Sequence, residues 1–273
     1  QRDIEPLIER GEELKNSDVT GALGLVWSPI SDFQIVVSYR RGFRAPNIFD
    51  LGTFGARPGN RYNIPALDLQ PEEINTYDLG FAYSGERVDF EVFAFYSSYD
   101  NKIASILTGD QIDPPFGPNV VRSANEALMR LAGVETSVKV LLSNRFSVVA
   151  EAFYTWGEQQ VQGGPVQPAD RIPPFQGRVG LAYQPRPWIW IEPYLRFAAE
   201  QDRLSDRDLK DPRINPNGTP GWVTLGIRSQ WTWNEHIDLV FEVRNITNAN
   251  YREHGSGYQA AGAGIATSLE LTF

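Results

Sequence analysis

The chain has 273 residues, with 25 Lys+Arg against 34 Asp+Glu, a net charge of −9, no cysteine, 41% apolar and 12% aromatic residues. This excludes disorder, collagen, coiled coil, disulfide scaffolds and thiolate metal centres, and the acidic balance argues against nucleic acid, which needs a basic face. No apolar run approaches the roughly 18 residues of a membrane helix. Residues Gln1 to Lys15 read as a polar surface segment. From there the dominant signal is period-two alternation, the pattern of strands. It begins over 18–27 and continues in Phe33 to Arg40, where Phe33, Ile35, Val37 and Tyr39 share one face and Gln34, Val36, Ser38 and Arg40 the other. Further strands are expected over 72–83, 88–103, 119–141, 146–157, 175–183, 188–199, 221–232 and 237–247. In the last one, up to Phe273, Ile265, Leu269 and Leu271 alternate with Ala266, Ser268, Glu270 and Thr272. The total is about eleven strands and no convincing helix.

The connections alternate in length. Short ones fall at Ser28–Asp32, Ser84–Arg87, Leu142–Arg145, Gln184–Pro187 and Trp233–His236, and long ones near 42–71, 104–118, 158–172, 200–220 and 248–262. All short turns then lie on one side of a sheet and all long loops on the other. That regularity is routine in up-and-down outer-membrane barrels and rare in Greek-key sandwiches. Charge sits mid-strand on one face only: Asp89 and Glu91 alternate with Val88, Phe90 and Val92, and Asp238, Glu242 and Arg244 with Ile237, Leu239, Phe241 and Val243. This suits a barrel whose apolar face meets lipid and whose polar face meets a wet or plugged lumen. Trp27, Trp188, Trp190, Trp231 and Trp233 lie beside short turns, and Trp156 and Trp222 beside long loops. Tyr39, Tyr96, Tyr99 and Tyr154 lie at the long-loop ends and Tyr83 and Tyr183 at the short-turn ends, as two interfacial girdles require.

Several segments carry a family likeness. Tyr39-Arg40-Arg41-Gly42-Phe43-Arg44-Ala45-Pro46 resembles the "Y-x-x-G-F-R-A-P" segment of TonB-dependent outer-membrane receptors. Leu69-Gln70-Pro71-Glu72 with Thr76-Tyr77-Asp78-Leu79-Gly80 is similar to that family's "L-x-P-E…T-Y-E-x-G" strand. Phe95-Tyr96-Ser97-Ser98-Tyr99, with Ile103, is similar to its "F-Y-x-x-Y-x-x-x-I". Gly133-Val134-Glu135 matches its "G-V-E", and Val243-Arg244-Asn245-Ile246-Thr247-Asn248 to Tyr251 its "V-x-N-L-x-D-x-x-Y". Phe273, with Leu269 and Leu271, fits the barrel-assembly signal. The motifs occur in family order over nearly the whole chain.

The resemblance implies an all-β fold: an antiparallel up-and-down transmembrane β-barrel, plugged from within, with about 11 of roughly 22 strands supplied here. Nothing reads as a plug or TonB-contacting motif, so residues 1–273 are expected to form the C-terminal part of the barrel. The implied function is non-enzymatic: active transport of a scarce nutrient across the bacterial outer membrane, energised through TonB. The cargo would be a ferric siderophore, haem or cobalamin. Implied partners are outer-membrane lipid, the TonB complex acting through a plug, and the N-terminal half of the barrel. A passive pore and a soluble all-β binding module are the rival readings.

Candidate site residues follow. Arg57, Asn60, Arg61 and Tyr62 in the first long loop offer two guanidiniums, an amide and a ring that suit an anionic chelate. Tyr251 and His254 stand in the last long loop. Arg44, Glu135, Glu242 and Arg244 fall on the polar face, where resemblance implies contact with a plug. His236, in a short turn, is expected on the opposite side from His254, so the two form no dyad or metal pair. Asp202, Asp206, Asp208 and Asp211 suggest a calcium loop, but Arg203, Arg207 and Lys210 between them favour internal salt bridges. No catalytic residue, metal site or cofactor is expected.

Overall fold

A computed structural model describes residues 16–52, 54–57, 60–113, 117–161 and 163–272, apart from the side chains of Glu126 and Val161. The expectations for Gln1–Lys15, Pro58, Gly59 and Phe273 lie outside the described residues.

Eleven long strands follow one another as β1 (Gly21–Ile30), β2 (Phe33–Arg44), β5 (Glu72–Ser84), β6 (Val88–Gln111), β7 (Asn119–Ser143), β8 (Phe146–Val161), β10 (Gln176–Arg186), β11 (Ile189–Ala198), β12 (Trp222–Asn234), β13 (Ile237–Arg244) and β14 (Gly264–Leu271). Each pairs antiparallel with the next, in chain order, so the sheet is an up-and-down meander. Five two- or three-residue turns close one side, as at Ser31–Asp32 and Asn144–Arg145. The long connections gather on the other. They carry three short strands, β3 (Gly55–Arg57), β4 (Arg61–Asn63) and β9 (Gln167–Pro168), and two five-residue helices, α1 (Ile48–Gly52) and α2 (Asp206–Lys210). The sequence pattern gave no sign of these helices, because five residues hold too few turns to show a 3.6-residue period.

The register sorts the residues onto two faces. One transverse row reads Leu25, Val37, Leu79, Ala94, Val134 and Tyr154. The next, toward the long loops, reads Leu23, Tyr39, Tyr77, Tyr96, Ala132 and Trp156. At the turn end the same face carries Trp27, Phe33, Tyr83, Phe90, Phe146, Tyr183 and Trp231, with Phe146 and Tyr183 stacked at 4.5 Å. An apolar band between two aromatic belts is the lipid-facing surface of a transmembrane barrel. Three aromatics expected in the belts are not there. Trp190, Trp222 and Tyr99 share the parity of the polar face, where Arg228 lies 4.8 Å over the Trp190 ring and Arg196 lies 5.5 Å over Trp222. Position along the strand sets membrane depth, whereas parity sets the face.

Most buried apolar side chains sit beyond the spanning strands, in two lobes at the long-loop end. In the first, the hairpin of β6 and β7 runs on for 24 and 25 residues, far beyond the roughly 9–11 that a bilayer needs. The described residues between 45 and 71 pack on that extension, and β4 pairs with β7 in parallel. Ala66, Leu69, Ile106, Val120, Val121, Ala124 and Ala127 are buried between them. Asn125 fastens the join: its Nδ2 donates to the carbonyls of Gln70 and Asn101, and its Oδ1 accepts from the Gln70 N–H. The second lobe combines the loops 163–175, 199–221 and 245–263, around buried Ala169, Ile214, Ser205 and Asp208.

Candidate functional site

The polar face is a wall of paired charges. Glu192, on β11, is fully buried and bridges two neighbouring strands: Oε1 accepts from Arg178 of β10, and Oε2 accepts from Arg228 of β12 at 3.1 Å. Gly180 leaves room for this carboxylate, since a Cβ there would collide with it. Tyr194 lies across Gly226 in the same manner, with the Arg178 guanidinium 4.6 Å above its ring. Its hydroxyl donates to Glu242 at 2.7 Å, and Arg244 donates to the other oxygen of Glu242 at 2.6 Å. One network therefore ties β10, β11, β12 and β13 together. Arg178, Glu192, Tyr194 and Arg228 escape a motif search, but their even parity, shared with Glu242 and Arg244, places them on this face.

Several concavities line the wall, and two of them bear on the sequence candidates. The first, about 480 Å³, is walled by Glu91, Glu135, Glu151, Phe93 and Phe153 and edged by Arg178 and Arg196. The second, about 650 Å³, lies toward the last long loop and is bordered by Arg196, Arg228, Glu242, Arg244, Tyr251 and Tyr258. Tyr251 reaches it by packing at a tilt on Trp222, with ring centroids 4.3 Å apart, and Arg196 lies 3.6 Å from Glu253. The wall is thus acidic across β6–β8 and carries four guanidiniums across β10–β13.

The sequence candidates divide among these places. Glu242, Arg244 and Tyr251 meet on the second concavity and Glu135 on the first. Arg44 stands on the polar face at the end of β2, holding Glu72 and Asp50 at 2.7 Å each. Arg57, Asn60, Arg61 and Tyr62 lie together in the first lobe, away from Tyr251 and His254. Asn60 adopts a left-handed backbone with φ 55° and accepts the Asn119 N–H at its carbonyl. Arg57 reaches Asn63 at 3.4 Å, and Tyr62 packs edge-on to Phe54 with centroids 5.4 Å apart. Arg61 remains exposed.

His254 is turned into the second lobe. Its Nδ1 lies 2.9 Å from Thr219 Oγ1, and its Nε2 is enclosed. Burial lowers its basicity; Asp208 works against this and Arg171 with it. His236 lies in a short turn with Nδ1 2.9 Å from the Thr272 carbonyl, on the opposite side of the sheet. The acidic loop folds as salt bridges and a helix cap. Ser205 and Asp208 cap α2 reciprocally, Asp211 holds Arg171 and Arg213, and Asp170 holds Arg207. Among the described residues no group of three or more His, Asp or Glu is placed to hold a metal ion.

The comparisons agree with this architecture. Residues 8–246 match the family model described as TonB dependent receptor-like, beta-barrel. The copper transporter OprC superposes with a TM-score of 0.73 at 16% identity, over 93% of this chain and 39% of its own. A variant of the ferric enterobactin receptor PfeA from Pseudomonas aeruginosa, in complex with enterobactin, gives 0.71 at 18% identity, over 93% and 40%. The FrpB iron transporter from Neisseria meningitidis gives 0.71 at 14% identity, over 94% and 40%. The chain spans about two fifths of the length of these structures, and at such identities the likeness is one of fold. With the family model matched over most of its length, the chain belongs to the TonB-dependent receptor-like β-barrel family.

Proposed function

We propose that residues 1–273 form the C-terminal part of the barrel of an active-transport receptor in the bacterial outer membrane. Its long loops would capture a scarce nutrient of the ferric siderophore, haem or cobalamin class, and TonB, acting through a plug, would supply the energy. The observation that carries the reading is the polar wall. Four of its guanidiniums stand beside the Tyr251 loop, and its carboxylates Glu91, Glu135 and Glu151 line the adjoining strands. A charged wall suits a lumen filled by a polar plug domain better than a lumen sealed by apolar side chains. Arg44, Glu135, Glu242 and Arg244 would face that plug, and Tyr251 with Arg57, Asn60, Arg61 and Tyr62 would meet the cargo from two lobes. The iron, copper and enterobactin named for the structural neighbours support the general class of cargo without choosing within it.

Deletion of the gene, followed by growth on single defined sources of iron, haem and cobalamin, tests the reading. Loss of growth on one source, restored by the wild-type gene, is the expected result. Unchanged growth on all of them, together with steady ion conductance of the purified protein in planar bilayers, would replace it with a passive pore.

A further inference from the structure

One imidazole joins two of the loops that make up the second lobe. The loop 245–263 reaches 199–221 through His254 Nδ1 and Thr219 Oγ1, and through Arg252, whose Nη1 donates to the Arg213 carbonyl at 3.2 Å. Gly255, at φ 75°, lets the same loop lie on the aliphatic stem of Arg171, with its Cβ position 3.7 Å from Cδ. Arg171 belongs to the loop 163–175, and its N–H donates to Asp208 Oδ2 of α2 at 3.2 Å. Three enclosed side-chain atoms at this junction have no hydrogen-bond partner: His254 Nε2, Asp208 Oδ1 and Arg252 Nε. The charged groups around the junction are Asp208, Asp211 and Arg213 from 199–221, Arg171 from 163–175, and Arg252 and Glu253 on the histidine's own loop. Asp211 is already shared by Arg171 and Arg213, and Glu253 faces Arg196. An imidazolium formed here would be desolvated and would have no hydrogen-bond acceptor at Nε2, with Asp208 as its opposing charge and the Arg171 guanidinium as its like charge.

We propose that His254 is a pH-sensitive latch, which joins two of these loops while neutral and releases loop 245–263 from the lobe when protonated. The unfolded loop takes up a proton near the ordinary histidine value of 6.5, and the closed lobe only below it. Between those two values the open state binds more protons, so closure weakens as pH falls through this window. Each unit of depression is worth about tenfold in the opening equilibrium. The latch rests on the packing of the lobe and is independent of what the receptor carries.

Amide hydrogen exchange on the protein purified from outer membranes, at pH 7.5 and pH 5.0 with intrinsic rates corrected, provides the test. Peptides from 199–221 and 245–263 should lose protection at pH 5.0, while peptides from β7 and β8 should not change. His254→Gln keeps a polar group of similar reach without the titration. It should hold its protection across the pH range, and Thr219→Val should reduce protection equally at both values. Unchanged protection in the wild type, a pH response that persists in His254→Gln, or tighter protection at pH 5.0 from a His254–Asp208 ion pair would each overturn the proposal.

Discussion

Replacing Glu192 by Gln removes one negative charge from the centre of the polar wall without changing the side chain's shape. In the native wall that carboxylate is fully buried and holds Arg178 and Arg228, whose side chains are 18% and 41% exposed. At an effective dielectric of about 20, a unit pair at the 3.1 Å Arg228 contact is worth roughly 5 kcal/mol before desolvation. Desolvation of the carboxylate offsets most of that, and breaking such a pair costs about 3–5 kcal/mol when both partners are buried. Here water reaches both guanidiniums, Arg228 above all, and takes up part of the loss. The expected net destabilisation is about 2–3 kcal/mol. Equilibrium urea unfolding in phospholipid vesicles, followed by tryptophan fluorescence, should show it as a midpoint lowered by about 1 M, for a slope of about 2–3 kcal/mol/M. Gly180→Ala pushes a methyl into the same carboxylate and should reproduce much of the loss. A cycle of Glu192→Gln with Arg228→Gln should give a coupling of at least about 1 kcal/mol. A loss below about 0.5 kcal/mol, or additive single effects, would refute the view of Glu192 as the bolt between β10, β11 and β12.

Other consequences follow from the same geometry. Leu79→Arg places a charge in the middle of the lipid-facing row and should cost about 2–4 kcal/mol in vesicles, whereas Ser137→Arg on the polar face should cost far less. Equal costs in the same unfolding assay would contradict the assignment of faces. Gly133→Val drives a side chain into the Phe95 ring and to within 2.8 Å of the Tyr154 carbonyl, so the folded, heat-modifiable band on gels should be lost. Asn245→Ala removes three hydrogen bonds to Ala249 and Ala261 and puts alanine at φ 48°, so loop 245–263 should lose protection worth about 1–3 kcal/mol in amide exchange.

The eleven spanning strands were legible because a sheet with lipid on one side imposes period two for its whole length; Val88 to Val92 shows it without interruption, and Ile237 to Arg244 shows it with Val240 alone breaking the polar parity. The alternation of turn and loop lengths gave the meander, because only an up-and-down sheet sends every long connection to one side. The two lobes were not legible. β3, β4 and α1 exist because Asn125 and the Val120–Val121 edge offer hydrogen bonds and burial to a distant segment, which no local pattern records. Parity could have placed Trp190 with Glu192 and Tyr194, yet an aromatic near a strand end satisfies the girdle pattern whichever face it occupies. The loop candidates at Arg57–Tyr62 and Tyr251 were chosen by residue type alone, and type cannot say that they belong to separate lobes. For His254, no feature of Glu253-His254-Gly255 reveals that the ring points inward beside Thr219.

The central claim is energised transport through a receptor of which this chain supplies the C-terminal barrel strands. Its most direct test is uptake of radiolabelled cargo, at external concentrations far below any diffusive supply, by cells carrying the wild-type gene, with and without TonB. The account predicts accumulation that stops when TonB is absent or the inner-membrane proton gradient is collapsed, while surface binding persists. Uptake that continues at the same rate without TonB would contradict it.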